Sequence, residues 1–550
     1  FDGISLTVSG NTDISGNTAV NGGAISFRGT TFDIKNTVIN NNIATANGGA
    51  VHATLGAETN FMLAIHSMSG NKAVNGGALY LDTNAMGEEA KLTITGTISA
   101  NTASGNGGGI YATGALKLNG LDFSSNKSEK GNGGAVYATG ALTVENGTFT
   151  DNSAAKGSGG AIYGESTVTV NTVSFTNNSA KTNGGAVYAG GALAIGKSED
   201  EVTGSSFSGN SAANGGAIYA NSGLSVTTAS FSSNTATANG GAIYIAAGTT
   251  AMIGSGDSTF VTITSNSALN GGGIYNAGTL TIGKGLAALS NNSALYNAKD
   301  KVGGEGGAIY NSGTLTMSWD NNNPTGLNVS GNKSTGLSDS VGGGGFLYNT
   351  GDAALSFFQV SNNTAYGNGG AIYSESGNLS LTGMSFIDNR TTAKGNGGAV
   401  YALNTNVTIN SSRFGHNEAK NTDKEGRIID KGGALYFSGS SNLTIQGELT
   451  ASGNSYRKIN TFFYDNQASR GGAVYIESNG GTFSISNTTA SGNIGRYSNA
   501  DGNYDESAAY VSQGAGLWIG GSSSNRITLE NVTVAGNQQI SSGLTWGGGL

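Results

Sequence analysis

The chain contains no cysteine, so no disulfide can form and any secreted form must be stable without such staples. It has a single proline, Pro324, in 550 residues. Proline cannot donate to a sheet ladder, so a chain made almost wholly of central strands excludes it. Charge is also scarce: 11% of residues are charged and the net charge is −8, mild for this length. A nucleic-acid partner would need a basic face, which this balance does not supply. There is no apolar run of membrane-spanning length, no signal peptide and no recognisable membrane-barrel segment. Helical periodicity is missing as well. Disorder is excluded by the 37% of hydrophobic residues, because a disordered chain carries fewer apolar residues and more net charge. What is abundant is glycine, with 94 residues. It follows no three-residue period, so a collagen-like helix is excluded.

The glycines are organised by a repeat. The segments "FTNNSAKTNGGAVYA" (175–189), "FSGNSAANGGAIYA" (207–220) and "FSSNTATANGGAIYI" (231–245) are nearly one sentence written three times. The Gly-Gly-small-aliphatic-aromatic motif occurs 18 times, from Gly22 to Gly547, with a shortest spacing of 25 residues. An apolar-x-x-Asn motif precedes each copy, with Phe leading at Asn126, Asn152, Asn178, Asn210 and Asn234. Between them lies an alternating piece such as "GALTVENGTF" (140–149). One unit therefore reads as three short strands and three turns, one rung of a parallel β-solenoid. The spacing predicts an all-β fold of about 18 rungs of roughly 25 residues plus insertions. A β-propeller blade, at roughly 40–45 residues, does not fit.

In such a stack identical residues lie over one another. The aliphatic residues Ile25, Ile162, Ile218, Ile243 and Ile372 are expected to point into the core, and the Tyr after each to point outward in a ladder. The Asn residues are expected at bends, where they can bond along the ladder and tolerate the left-handed conformation. The Gly pairs are expected at corners, where positive φ and close rung approach exclude side chains.

The paired motifs, "FTDN…GGAIY" (149–163) and "FSGN…GGAIY" (207–219), resemble the repeats of the polymorphic outer membrane proteins of chlamydiae, which are autotransporter adhesins. The resemblance covers essentially the whole chain. It implies a right-handed single-stranded parallel β-helix, exported as a passenger through an outer-membrane β-barrel and binding host or neighbouring cells. The chain departs from that family pattern in having no cysteine and no C-terminal barrel. It begins within a strand-like run and ends within a motif copy, and is expected to be one continuous passenger-type domain, 1–550, cut from something longer.

Parallel β-helices also carry glycan-degrading enzymes, which need clustered carboxylates on one face. Asp151, Asp388 and Asp465 each precede a motif Asn but lie rungs apart, and His52, His66 and His416 have no partner in the sequence. No phosphate loop, dinucleotide fingerprint or metal-ligand spacing is present. No catalytic residue, cofactor or metal is expected, and the chain is read as a non-enzyme.

What remains is surface. Insertions at 293–305, 333–343, 418–431 and 494–513 fall between the motif Asn and the Gly pair, and so are expected to leave one corner of the cross-section. Another, 438–461, falls after the Tyr. Aromatic and cationic side chains on such loops suit partner binding. The candidates are Arg427, Tyr456, Arg457, Lys458, Arg496, Tyr497 and Tyr504. The expected function is attachment of a bacterial cell surface to a host or neighbouring-cell protein or glycan, through loops on a rigid β-helix. The alternatives are a surface spacer with no specific ligand and, third, a glycan-degrading enzyme. A signal peptide and terminal barrel in the full gene would favour the first.

Overall fold

Four pairing segments form each regular rung, as residues 162–180 show. They are Ile162–Gly164, Val168–Asn171, Ser174–Thr176 and Ser179–Ala180. Each pairs in parallel with its equivalent one repeat later: Ile162 with Val187, Val168 with Leu193, Phe175 with Phe207, Ser179 with Ser211. Sequence alternation shows only three of the four, because Ser179–Ala180 is two residues long and too short to display a period.

These coordinates are a computed structural model. It describes residues 1–550 except 4, 87–90, 198–202, 255, 257–259, 321–325, 337–341, 423–427, 453–454, 479, 497–511, 522–525 and 541–544; of 448–459, 512, 545 and 546 it describes the backbone alone. Pro324 lies outside the described residues. The protein is an all-β parallel solenoid of the right-handed type with about 16 turns, close to the roughly 18 rungs expected. No helix occurs among the described residues. The chain divides into two compact units, Phe1–Thr262 and Ile263–Leu550.

The core of each unit consists of stacks. Ile162, Ile218, Ile243 and Ile372 are fully buried, and Ile25 is 5% exposed. In the first unit, Phe123, Phe149, Phe175 and Phe207 stack ring on ring at 4.7–5.0 Å between centroids. In the second, Phe386, Phe414 and Phe463 do the same at 4.8–4.9 Å. Successive rings touch because rungs lie about 4.8 Å apart, and such contacts add to area burial.

The motif Asn residues are buried inside the bend. Asn210 Nδ2 donates to Phe175 O at 3.1 Å and to Asn234 Oδ1 at 3.0 Å, while Asn210 Oδ1 accepts from Asn178 N and Nδ2, each at 3.0 Å. The same chain of amides runs from Asn42 to Asn234 in the first unit and from Asn266 to Asn537 in the second. The left-handed conformation expected of these residues belongs instead to the residue before each one. Asp151, Asn177, Ser233, Asp388 and Asp465 have φ of 53–56°. The motif Asn turns its amide inward and its predecessor makes the bend, so Asp151, Asp388 and Asp465 serve backbone geometry.

The two glycines of each corner do different jobs. Gly184 has φ +64°, a left-handed position. A Cβ on Gly185 would lie 2.0 Å from the carbonyl oxygen of Gly216 on the next rung. The first permits the turn; the second lets successive rungs approach.

Candidate partner-binding site

The residue after each motif Asn forms a column along one corner. In the first unit it runs Ile43, Lys72, Thr102, Lys127, Ser153, Ser179, Ser211 and Thr235. In the second unit the column runs Ser293, Lys333, Thr364, Arg390, Glu418, Gln467 and Ile494. The first residues of the insertions at 293, 333, 418 and 494 therefore all stand in this one column. Their rims carry local antiparallel pairings, Tyr296–Asn297 with Val302–Gly303 and Lys394–Gly395 with Lys420–Asn421.

At the last part of this column the loops leave a cleft of about 290 Å³, lined by Thr392, Ala393, Glu418 to Thr422, Ile428, Asp430, Gln467, Ala468 and Arg496. Two cations face one carboxylate there. Lys420 Nζ is 3.5 Å and Arg496 Nη2 3.9 Å from Glu418 Oε1. Gln467, with its amide oxygen turned to the guanidinium, accepts from Arg496 Nε at 2.7 Å. Asp430 closes the base of the cleft at 5% exposure, accepting from the backbone N–H of Ser469. Burial pushes its carboxyl up to about 7; the hydrogen bonds from Ser469 and Asn421 oppose this and the nearby Glu418 charge adds to it.

A second feature lies on the face of the Gly-Gly-Ala-Ile-Tyr strands. In the first unit His52 and seven tyrosines, Tyr80 to Tyr244, form a continuous stack with centroids 4.5–5.3 Å apart. In the second, seven tyrosines from Tyr275 to Tyr475 continue into Trp518 at 4.1 Å. The outward ladder expected from alternation is present, but it is less open than that expectation. Tyr373 is 6% exposed and Tyr475 1%. The rings cover one another's faces, so mainly edges and hydroxyls meet solvent. Burial first, then neighbouring phenols and carboxylates, raises the Tyr163 and Tyr310 phenols to about 12. Tyr436 and Tyr475 donate to Glu477 Oε2, each at 3.3 Å, and Lys431 Nζ meets the same oxygen at 3.1 Å. Burial pushes the Glu477 carboxyl up, but the Lys431 ammonium and the two phenols outweigh it and hold it below its usual value. This cluster satisfies its own members.

Of the candidate residues named from the sequence, Arg496 lies in the cleft. Tyr456, Arg457 and Lys458 lie on Ser455–Ile459, which pairs antiparallel with Glu448–Ser452, and only their backbone is described. Arg427, Tyr497 and Tyr504 fall outside the described residues. Glu418, Lys420, Asp430 and Gln467 were not singled out individually. The position after the motif Asn gives no signal for Glu418 and Gln467, because charged residues stand there elsewhere as well, at Lys72, Lys127, Lys333 and Arg390.

Seven segments, 36–54, 120–139, 146–165, 172–190, 204–221, 228–246 and 358–375, match the Chlamydia polymorphic membrane protein repeat. No curated protein and no solved structure matches the chain. The chain is thus a β-solenoid carrying polymorphic-membrane-protein repeats, and repeat and solenoid together fit a surface-exposed, passenger-like protein.

Proposed function

We propose that this chain is the non-enzymatic passenger of a bacterial surface protein, and that it attaches to a host or neighbouring-cell protein or glycan through the loops of its second unit. The supporting observation is the convergence of insertions on one corner column, where residues of 418–431 and Arg496 line a common cleft. A regular rung presents short turns and a satisfied ladder, whereas these loops add charge and concavity, which recognition needs. No catalytic group, cofactor or nucleic-acid contact enters this reading. Export through an outer-membrane barrel belongs to it as well, since the repeat is one of membrane proteins of the surface.

Trimming is the test. Shortening 418–431 and 494–513 to the length of 153–158, and 438–461 to the length of 220–230 so that the buried strand Leu443–Gln446 is kept, is expected to leave the β spectrum in circular dichroism intact, because neighbouring rungs remain paired. Adhesion of beads coated with the protein to cultured cells is expected to fall to background. A folded, trimmed protein that adheres as before would remove the loops from function and leave the spacer reading.

A further inference from the structure

The cleft at Glu418, Lys420 and Arg496 has a chemistry that narrows its ligand, provided it is the attachment site argued above. Its volume, about 290 Å³, lies just below that of ligand pockets for drug-sized molecules, which run from roughly 300 to 1,000 Å³. That suits one ring-sized group and not a folded surface. Besides the carboxylates of Glu418 and Asp430, its polar lining is of two kinds. One is cationic: Lys420 and Arg496, whose side chains are 48% and 46% exposed. The other consists of neutral amides and hydroxyls, Gln467, Asn421 and Thr392. Three alanines, Ala393, Ala419 and Ala468, supply a small apolar patch between them.

The donors outnumber their acceptors. A guanidinium carries five N–H groups and an ammonium three. Within the cleft they share one oxygen of Glu418, at 3.5 and 3.9 Å, and the amide oxygen of Gln467. The distances to Glu418 exceed those of a tight charge-assisted pair, roughly 2.7–2.9 Å. An incoming anion can therefore displace Glu418 from the ammonium and the guanidinium without breaking a close ion pair, while Arg496 Nε stays bonded to the Gln467 oxygen. Among the described residues, the charged groups that line the cleft are Glu418, Lys420, Asp430 and Arg496. The two cations match the two carboxylates in number, and burial pushes the Asp430 carboxyl toward its neutral form, which lessens the negative charge set against them.

We propose that this cleft binds an acidic sugar residue, its carboxylate or sulfate held by Arg496 and Lys420 and its hydroxyls by Gln467, Asn421 and Thr392. The alanine patch receives the apolar face of the ring. An anionic group alone would use the cations but not the amides; a neutral sugar would use the amides but leave the cations to Glu418.

The experiment titrates the whole chain with three probes: a sialic-acid-terminated trisaccharide, a sulfated disaccharide from heparin, and the neutral disaccharide lactose. Binding is read by saturation-transfer NMR and by thermophoresis. At least one acidic probe is expected to bind about ten-fold or more tightly than lactose, and to weaken as salt rises. Arg496→Gln and Lys420→Gln are each expected to reduce that affinity about ten-fold. Lys117→Gln, which removes a surface cation paired with Glu145 in the other unit, is expected to change nothing. Melting curves confirm that each variant is folded. Preference for the sialylated probe assigns the site to a carboxylated sugar; preference for the heparin disaccharide, which carries a uronate carboxylate besides its sulfates, is resolved by titrating its desulfated form. Equal binding of lactose, no binding of either acid, or full affinity in both cleft variants overturns the proposal. So does equal competition by acetate, which would make the site one for simple anions. If trimming abolishes adhesion while neither acid binds, the ligand class is wrong and the attachment reading stands. If the acids bind while trimming leaves adhesion intact, the sugar site stands and the attachment reading falls.

Discussion

Replacing Ile218 with Asp is expected to abolish folding of the unit that contains it. Ile218 is fully buried, in register between Val187 and Ile243, with Ala217 and Ala220 also at zero exposure. Its side chain meets other apolar side chains, and an aspartate there would have no cationic or hydrogen-bonding partner. Burying an unpaired carboxylate costs far more than the loss of a methyl group, even if it escapes by taking up a proton. The lost aliphatic contact adds about 2–5 kcal/mol. A domain has about 5–15 kcal/mol of stability in total, and a solenoid gathers it rung by rung from neighbours, so a broken rung weakens the interfaces on both sides. The measurement is thermal melting by circular dichroism. Asn210→Ala is the comparison. It removes the Asn210 donors to Phe175 and Asn234 and leaves Asn178 N and Nδ2 without their acceptor. Each such unpaired buried group costs about 1–3 kcal/mol. The expected result is therefore a folded protein with a clearly lowered melting temperature. Equal tolerance of the two substitutions would contradict the inward placement of Ile218.

The difference between those two residues was readable before any coordinates. A repeat that places Ile and Tyr side by side assigns them opposite faces, and the one that aligns with Val187 and Ile243 on neighbouring rungs belongs to the core. The Asn stack was legible for the same reason. Its detail was not: whether the bend residue is the Asn or its predecessor depends on which backbone turns, and both are polar or small. Likewise the Tyr column was legible, but the near-complete burial of Tyr475 was not, because it depends on the Trp518 ring stacked 4.1 Å away and on Lys431 beside it. The column shared by Ser293, Lys333, Glu418 and Ile494 was legible, because each follows a motif Asn. The cleft was not, since Glu418, Gln467 and Arg496 are separated by insertions of different lengths. Only the registration of rungs brings them together. Asp430 was hidden most deeply. In the sequence it is one acid in a charged loop, and its burial depends on how that loop folds back to meet Ser469.

Asp430 in turn makes stability depend on pH in an unusual direction. A carboxyl whose pKa is higher in the folded than in the unfolded chain holds its proton more tightly when folded. Its contribution to stability is fully present below the unfolded value, 3.8, and is lost as pH rises toward the folded value of about 7. Over that window the loss amounts to about 4 kcal/mol. Most paired carboxylates act in the opposite sense, so the comparison must be made between wild type and Asp430→Asn at each pH. The variant keeps an oxygen for the Ser469 N–H but cannot ionise. The expected result is that the variant gains on the wild type steadily from about pH 4 to about pH 7, and that the gap then stays constant. Denaturant melts of the second-unit transition measure it. The two proteins would instead keep the same difference across that range if Asp430 were already ionised at pH 5. The burial that raises this carboxyl would then be offset by solvent or by a cation reaching the base of the cleft. In that case two carboxylates would oppose Lys420 and Arg496 at the cleft, and an acidic probe would bind more weakly than it does with Asp430 neutral.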